Sequence, residues 1–230
     1  MKIHGFQKIT MLDFPGKIAA TVFTAGCNLR CPFCHNARLV THLENEDEIR
    51  EEEIFAYLEK RKGMLEGVCV TGGEPLMQAD IAEFLKKIKA LGLSVKLDTN
   101  GCFPEKLKEL VNEGLVDYVA MDIKNSPALY GETVGIDSFS LDKINESKDF
   151  LLSGAVDYEF RTTVVAELHN EKGMLELAEW IKGAKNYFLQ SFNNSGDIIG
   201  EGFSSPSRQF MKETQAVVAP FVEKVELRGI

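Results

Sequence analysis

Three of the chain's five cysteines fall within one short segment, Cys27-Asn28-Leu29-Arg30-Cys31-Pro32-Phe33-Cys34-His35, with the spacing C-x3-C-x2-C. Thiolates this close on one loop can wrap a single soft metal centre. Two donor sets compete. Cys27, Cys31, Cys34 and His35 would make a Cys3His zinc site. Alternatively the three thiolates hold three irons of a [4Fe–4S] cluster and leave the fourth iron open. For zinc, the adjacent Cys34 and His35 would have to reach one ion, which is sterically awkward, and no second pair of close ligands follows downstream. Cys69 and Cys102 stand alone, in or just after expected strands, and read as small buried hydrophobes.

The elements that must position these residues announce themselves through glycines. Gly67, Gly92, Gly114, Gly154 and Gly183 each sit where a helix would end, and each opens a short apolar run rich in β-formers. An earlier strand, Ile18–Thr24, precedes Gly26. Amphipathic stripes lie between the runs: Ile81, Phe84, Leu85, Ile88 and Leu91, then Leu107, Leu110 and Val111, then Met174, Leu177, Ala178 and Ile181. Ser205 and Pro206 read as cap and first residue of a last helix through Val218. About six strand-then-helix units imply βαβ crossovers and a parallel sheet. The expected fold is α/β, a partial (β/α)6 barrel preceded by a short N-terminal hairpin that turns at Asp13-Phe14-Pro15-Gly16. One domain over 1–230 is expected: hairpin 1–17, βα core 18–192, and a C-terminal lid, helix and strand over 193–230.

In parallel α/β folds, chemistry gathers at the carboxyl ends of the strands. Here those ends read Thr24-Ala25-Gly26-Cys27, Thr71-Gly72-Gly73-Glu74-Pro75, Asp98-Thr99-Asn100-Gly101, Asp122-Ile123-Lys124, Arg161-Thr162-Thr163 and Gln190-Ser191-Phe192. Polar turns must follow apolar strands anyway, but that does not account for so much charge and glycine at every end. Other features are bland. The acidic run Glu44–Glu53 reads as a solvated loop and helix start, His4, His42 and His169 are unclustered, and Trp180 reads as packing. The Gly/Ser-rich stretch Asn193–Ser207 reads as a lid or a docking edge.

Lys and Arg number 26 against 35 Asp and Glu, a net charge of −9, which argues against broad nucleic-acid binding. No apolar run approaches the roughly 18 residues that span a bilayer. The N-terminus lacks a signal-peptide pattern, so a cytoplasmic location with reduced thiols is expected.

The cysteine segment, with Phe33 before its last cysteine, resembles the signature of the radical S-adenosylmethionine (radical SAM) enzymes, and Thr71–Pro75 resembles that superfamily's second motif. Asp13-Phe14-Pro15-Gly16, Cys34-His35-Asn36, Asp98-Thr99-Asn100-Gly101 and Met121-Asp122-Ile123-Lys124 are similar to motifs of the glycyl-radical-enzyme activating enzymes. The whole chain looks most like the activating proteins of anaerobic ribonucleoside-triphosphate reductase. This resemblance implies one [4Fe–4S] cluster on Cys27, Cys31 and Cys34, whose open iron chelates SAM. One electron then cleaves the sulfonium to methionine and a 5′-deoxyadenosyl radical, which takes the Cα hydrogen of a glycine in a partner enzyme. It implies reduced flavodoxin or ferredoxin as the electron donor. The alternatives are another glycyl radical enzyme or a small molecule as substrate and, more remotely, a non-catalytic Cys3His zinc module.

Under the resemblance, Gly72 and Gly73 bond the methionyl amine through their backbone. Glu74 accepts from that amine or braces the loop. Phe33 and His35 bracket the adenine or shield the cluster, and Asn36 reaches the ribose or amino-acid moiety. Asp98, Asp122 and Thr99 bind a monovalent cation beside the SAM carboxylate, as in pyruvate formate-lyase activase. Alternatively Asp122 and Lys124 bond the ribose hydroxyls and carboxylate, with Lys124 and Arg161 supplying positive charge. Gln190 stands where that activase has a histidine.

Overall fold

The computed structural model describes residues 1–41, 48–194, 196 and 198–230. In chain order the elements are β1 (Ile3–Thr10), β2 (Ala19–Thr24), α1 (Ala37–Thr41), α2 (Glu51–Lys60), β3 (Gly67–Gly72), α3 (Ile81–Ala90), β4 (Ser94–Thr99), α4 (Pro104–Asn112), β5 (Tyr118–Asp122), α5 (Tyr130–Val134), α6 (Asp142–Leu152), β6 (Asp157–Val164), α7 (Glu171–Trp180), β7 (Asn186–Ser191), α8 (Arg208–Val218) and β8 (Lys224–Arg228). Among the described residues one sheet runs β1 to β8 in sequence order, with β1 and β8 at its edges, so the barrel is open. Strands β2 to β8 are parallel and only β1 is antiparallel to its neighbour.

The N-terminal hairpin forms, but not within residues 1–17. Its second arm is β2, with Thr10 paired to Ala19, and Asp13–Gly16 lies in the connection. Phe14, buried to 2% exposure, anchors that connection, so the segment read as a turn is also a core contact. The core strands β2 to β7 carry the expected units, and β8 extends the sheet by one more parallel strand. The α3 stripe is buried as expected at Ile81, Phe84, Leu85 and Ile88. The last helix starts later than Ser205-Pro206: Ser207 caps α8, its hydroxyl accepting from the Phe210 N–H at 3.0 Å. His42 and Glu44–Asp47 lie outside the described residues, whereas Glu51, Glu52 and Glu53 form the first turn of α2, where acids suit the helix N-terminus.

A parallel sheet covered on both faces is normally apolar throughout. Here only one parity is. Val68 and Val70, Val95 and Leu97, Val119 and Met121, Phe160, and Tyr187 and Leu189 are fully buried. The alternate residues on the same strands are Cys69 and Thr71, Lys96 and Asp98, Ala120 and Asp122, Glu159 and Arg161, Phe188 and Gln190. Side chains alternate across a strand, so the second set shares the opposite face. The sheet therefore curls its apolar face outward beneath the helices and its charged face inward around a polar chamber.

Candidate active site

The cysteine loop leaves β2 and returns to α1. The Gly26 N–H donates to the Leu39 carbonyl at 2.7 Å, closing the loop on the helix that follows it. Within the loop the Cys34 N–H donates to the Cys31 carbonyl at 3.1 Å, and Arg30 Nη1 donates to the Cys27 carbonyl at 2.6 Å. The Cys27 sulfur accepts from the Leu29 N–H at 3.4 Å and from Asn100 Nδ2 at 3.7 Å.

Burial pushes the Cys31 thiol up to about 12, and it also raises Cys27 and Cys34. Free thiols in this loop are therefore protonated near neutrality, and binding a metal centre must release those protons. Among the described residues no three His, Cys, Asp or Glu side chains are gathered as one metal ion would require. An iron–sulfur cluster is less demanding, because its thiolates bind separate irons. His35 does not complete a Cys3His set. Its Nε2 is engaged with the Asn193 carbonyl at 2.9 Å, and its ring stacks on Phe192 at 5.1 Å and 11°. The donor set thus fits three thiolates on a cluster better than a single zinc.

The second loop is sewn to the first. The Gly73 N–H donates to Thr24 O and the Glu74 N–H to Gly26 O, each at 2.8 Å. Asn36 Nδ2 donates to the Gly72 carbonyl at 2.8 Å. Gly72 has φ +115°, and a Cβ there would lie 2.4 Å from Thr24 backbone atoms, so the strand end must be glycine. Glu74 is completely buried. It accepts from the Leu76 N–H at 3.0 Å, from Thr99 Oγ1 at 2.9 Å and from the Asn100 N–H at 2.7 Å. Burial pushes its carboxyl up to about 7 against the pull of those donors. Of the two expected roles for Glu74 the geometry supports the brace: it holds the third loop and does not line the chamber.

One cavity at the carboxyl ends of the strands gathers the other expected residues. It is lined by Cys27, Cys31, Phe33, Cys34, His35 and Asn36, by Gly72 and Gly73, and by Asp98, Asp122, Lys124, Arg161 and Gln190. Phe33 meets Phe192 edge-on at 6.4 Å, so Phe192 touches both rings that flank Cys34.

The charged residues of this lining form an ion network. Asp122 and Arg161 are register partners on β5 and β6. Arg161 bonds Asp122 Oδ1 at 3.0 Å and Asp98 Oδ2 at 2.9 Å. Lys124 takes Asp122 Oδ2 at 2.8 Å, and Lys96 takes Asp98 Oδ1. Burial alone would raise both carboxyls, but Arg161 with Lys96 holds Asp98 below its ordinary range, and Arg161 with Lys124 holds Asp122 down to about 2. Every carboxylate oxygen already accepts from a cationic side chain. Thr99 has turned its hydroxyl to Glu74. The expected monovalent cation does not fit this arrangement, because it would set a fourth positive charge against two negative ones.

Lys96 and Glu159 belong to none of the motifs identified in the sequence. Their signal was alternation: Val95-Lys96-Leu97-Asp98 and Tyr158-Glu159-Phe160-Arg161 put a charge at every second place of an apolar strand. His169 is likewise more than a lone imidazole. It is 4% exposed, its Nδ1 accepts from the Val165 N–H at 3.0 Å, and its Nε2 meets the Lys124 carbonyl at 3.0 Å. Burial lowers its pKa, so the fold holds it neutral. Its contribution is therefore complete above the unfolded value of about 6.5 and is lost as the pH falls through the folded value. The stability gap between wild type and His169→Gln should shrink on going from about pH 7.5 to about pH 5, by at most about 1.4 kcal/mol per pH unit. Urea unfolding of both proteins measures this, and a gap that stays constant would contradict it.

A family model described as the Radical SAM superfamily matches residues 21–144. Over 235 aligned residues, 99% of this chain and 96% of the other, the chain is 31% identical to a protein of Methanocaldococcus jannaschii with the provisional name glycyl-radical enzyme activating enzyme. The pyruvate formate-lyase-activating enzyme of Listeria monocytogenes is 36% identical over 134 residues, 54% of this chain and 53% of that one, so this likeness spans about half of either. Among solved structures, a domain of pyruvate-formate lyase-activating enzyme from Bacteroides vulgatus matches with TM-score 0.58 at 16% identity, over 71% of this chain and 99% of that one. Streptococcus suis SuiB bound to its precursor peptide matches with TM-score 0.68 at 13% identity, over 91% and 48%. At such identities the structures speak for the fold alone, whereas the matched superfamily region and the full-length relative speak for descent. On both grounds the chain belongs to the radical SAM superfamily and, within it, to the glycyl-radical-enzyme activating enzymes.

Proposed function

We propose that this protein installs a glycyl radical in a partner enzyme, using a [4Fe–4S] cluster on Cys27, Cys31 and Cys34 and SAM bound beside it. The observation that carries the reading is one chamber whose lining brings together the three thiols, the glycine pair and the cationic side chains of Lys124 and Arg161. When bound, the cluster supplies one electron to the sulfonium of SAM, the chemistry this superfamily uses to make a carbon radical. The chain's own residues bind, orient and shield. A methionyl ammonium is a donor only, so it is met by carbonyl oxygens rather than by the Gly73 N–H, which is committed to Thr24. The Gly72 carbonyl, held by Asn36, is such an acceptor. Lys124 and Arg161 attract the carboxylate. Phe33 and His35, packed on Phe192, wall the chamber from water beside the cysteine loop.

For the partner we propose anaerobic ribonucleoside-triphosphate reductase, on the likeness of the whole chain to the activating proteins of that enzyme, with reduced flavodoxin or ferredoxin as electron donor. Pyruvate formate-lyase is the second reading, favoured by the names of relatives that match about half of the chain. No described helix is long and apolar enough to cross a membrane. The test is to incubate the reduced protein with SAM and each partner separately and record electron spin resonance. A glycine-centred signal with the reductase is expected. A signal with pyruvate formate-lyase alone would move the assignment to it. 5′-Deoxyadenosine formed only with a small molecule would end the activase reading.

A further inference from the structure

The most unusual side chain in the molecule is Lys96. It is the only lysine among the fully buried large side chains of the described residues, at 1% exposure. It projects from β4 two residues before Asp98, so both lie on the inner face. Its register partner on β3 is Cys69, whose sulfur lies 3.8 Å from the ammonium. Beneath Asp98, Lys96 lines a second cavity with Glu159 and Arg228, which meets the SAM chamber at Asp98, Arg161 and Gln190. Glu159 is occupied by Arg228, at 3.0 and 3.2 Å, and by the Tyr118 hydroxyl at 3.1 Å. Lys96 is thereby left to Asp98. Burying a lysine is costly unless it is paired, and this one is spent on a single carboxylate at the floor of the chamber.

We propose that the Lys96 ammonium is a built-in cation. It gives the Asp98–Arg161–Asp122 network the positive charge that a bound monovalent ion would otherwise supply, so SAM binding here is independent of sodium and potassium. Lys96 acts as a positioning residue: it touches Asp98, which fixes Arg161, which fixes Asp122. Three cations against two carboxylates leave the network one charge positive, suited to a single carboxylate ligand. An added alkali ion would find every oxygen of Asp98 and Asp122 already bonded to a cationic side chain, and a repulsive field. A fixed ammonium also responds differently from a dissolved ion, since no change of salt composition removes it.

This inference rests on the reading of the chamber as the SAM site, and the experiment separates the two. The affinity of the cluster-loaded wild-type protein for SAM is measured by anaerobic calorimetry in potassium, sodium and tetramethylammonium chloride at equal ionic strength. The three dissociation constants should agree within about twofold. Loss of about tenfold or more in tetramethylammonium, roughly 1.4 kcal/mol, overturns the inference while leaving the SAM site intact. Absence of SAM binding in all three salts overturns the site reading and this inference with it. Lys96→Met should bind SAM about tenfold more weakly without an alkali ion and recover on adding potassium. A folded Lys96→Met indifferent to potassium would show that Lys96 is not the substitute. The wild-type comparison decides the matter even if that variant fails to fold.

Discussion

Cys31→Ala should produce no 5′-deoxyadenosine from SAM under reducing conditions, with lowered iron content and an intact fold. Cys31 is the middle ligand of the proposed set and the most enclosed of the three, at 8% exposure. Its thiol is pushed up to about 12 by burial, so no partner within the protein holds it as a thiolate. Only a metal centre gives this sulfur a reason to ionise. Removing it withdraws one iron's anchor while Cys27 and Cys34 remain. The packing loss is small: alanine replaces one buried sulfur, comparable to a conservative truncation of about 1 kcal/mol. Activity and stability should therefore part company by orders of magnitude, and circular dichroism with iron analysis would read both. Cys102→Ala, at a comparably buried position of 6% exposure outside the chamber lining, serves as the control. It should lose similar stability and keep its iron. Undiminished 5′-deoxyadenosine from Cys31→Ala would refute the cluster assignment.

What could be read in the sequence was what is encoded locally. The cysteine spacing, the glycine pair and the α3 stripe each lie within a few residues, and each sits in the structure where its pattern implied. The helix cap slipped by two places because Ser205 and Ser207 flank the same proline, and only the hydrogen bond to Phe210 separates them. The ion network was half legible. Asp98, Asp122, Lys124 and Arg161 could be named as strand-end charges, but their pairing spans up to 63 positions and is set by strand register. Two carboxylates viewed without Lys96 and the orientation of Arg161 look like a cation site, and with them they are already neutralised. The choice between the two roles open to Glu74, acceptor for the amine or brace of the loop, was illegible for the same reason. Its donors on Thr99 and Asn100 belong to the next βα unit, beyond the reach of a local motif. Family resemblance conveys which residue types recur, and the surrounding strands decide which way each side chain turns.

The second large effect is expected at a residue with no side chain at all. Gly73→Ala should destabilise the protein by about 4 kcal/mol and lower iron loading even in the fraction that folds. A Cβ on Gly73 would lie 2.0 Å from the Gly26 carbonyl oxygen and 2.7 Å from its carbon. That carbonyl cannot swing aside, because it accepts from the Glu74 N–H at 2.8 Å while the Gly26 N–H is bonded to Leu39. Relief would have to come from backbone movement in a close-packed loop, breaking at least one of those bonds. Gly26 immediately precedes Cys27, so the strain is delivered to the first thiol of the set. Gly92→Ala makes the comparison quantitative. Gly92 has φ +79° but nothing within 4 Å of its would-be Cβ, so only left-handed strain of about 1–2 kcal/mol applies, remote from the chamber. Urea unfolding midpoints should therefore rank wild type, Gly92→Ala and Gly73→Ala in falling order, with iron stoichiometry reduced in the last alone. If Gly73→Ala unfolded no more easily than Gly92→Ala and bound iron fully, the contact between the glycine pair and the cysteine loop would not be what positions Cys27.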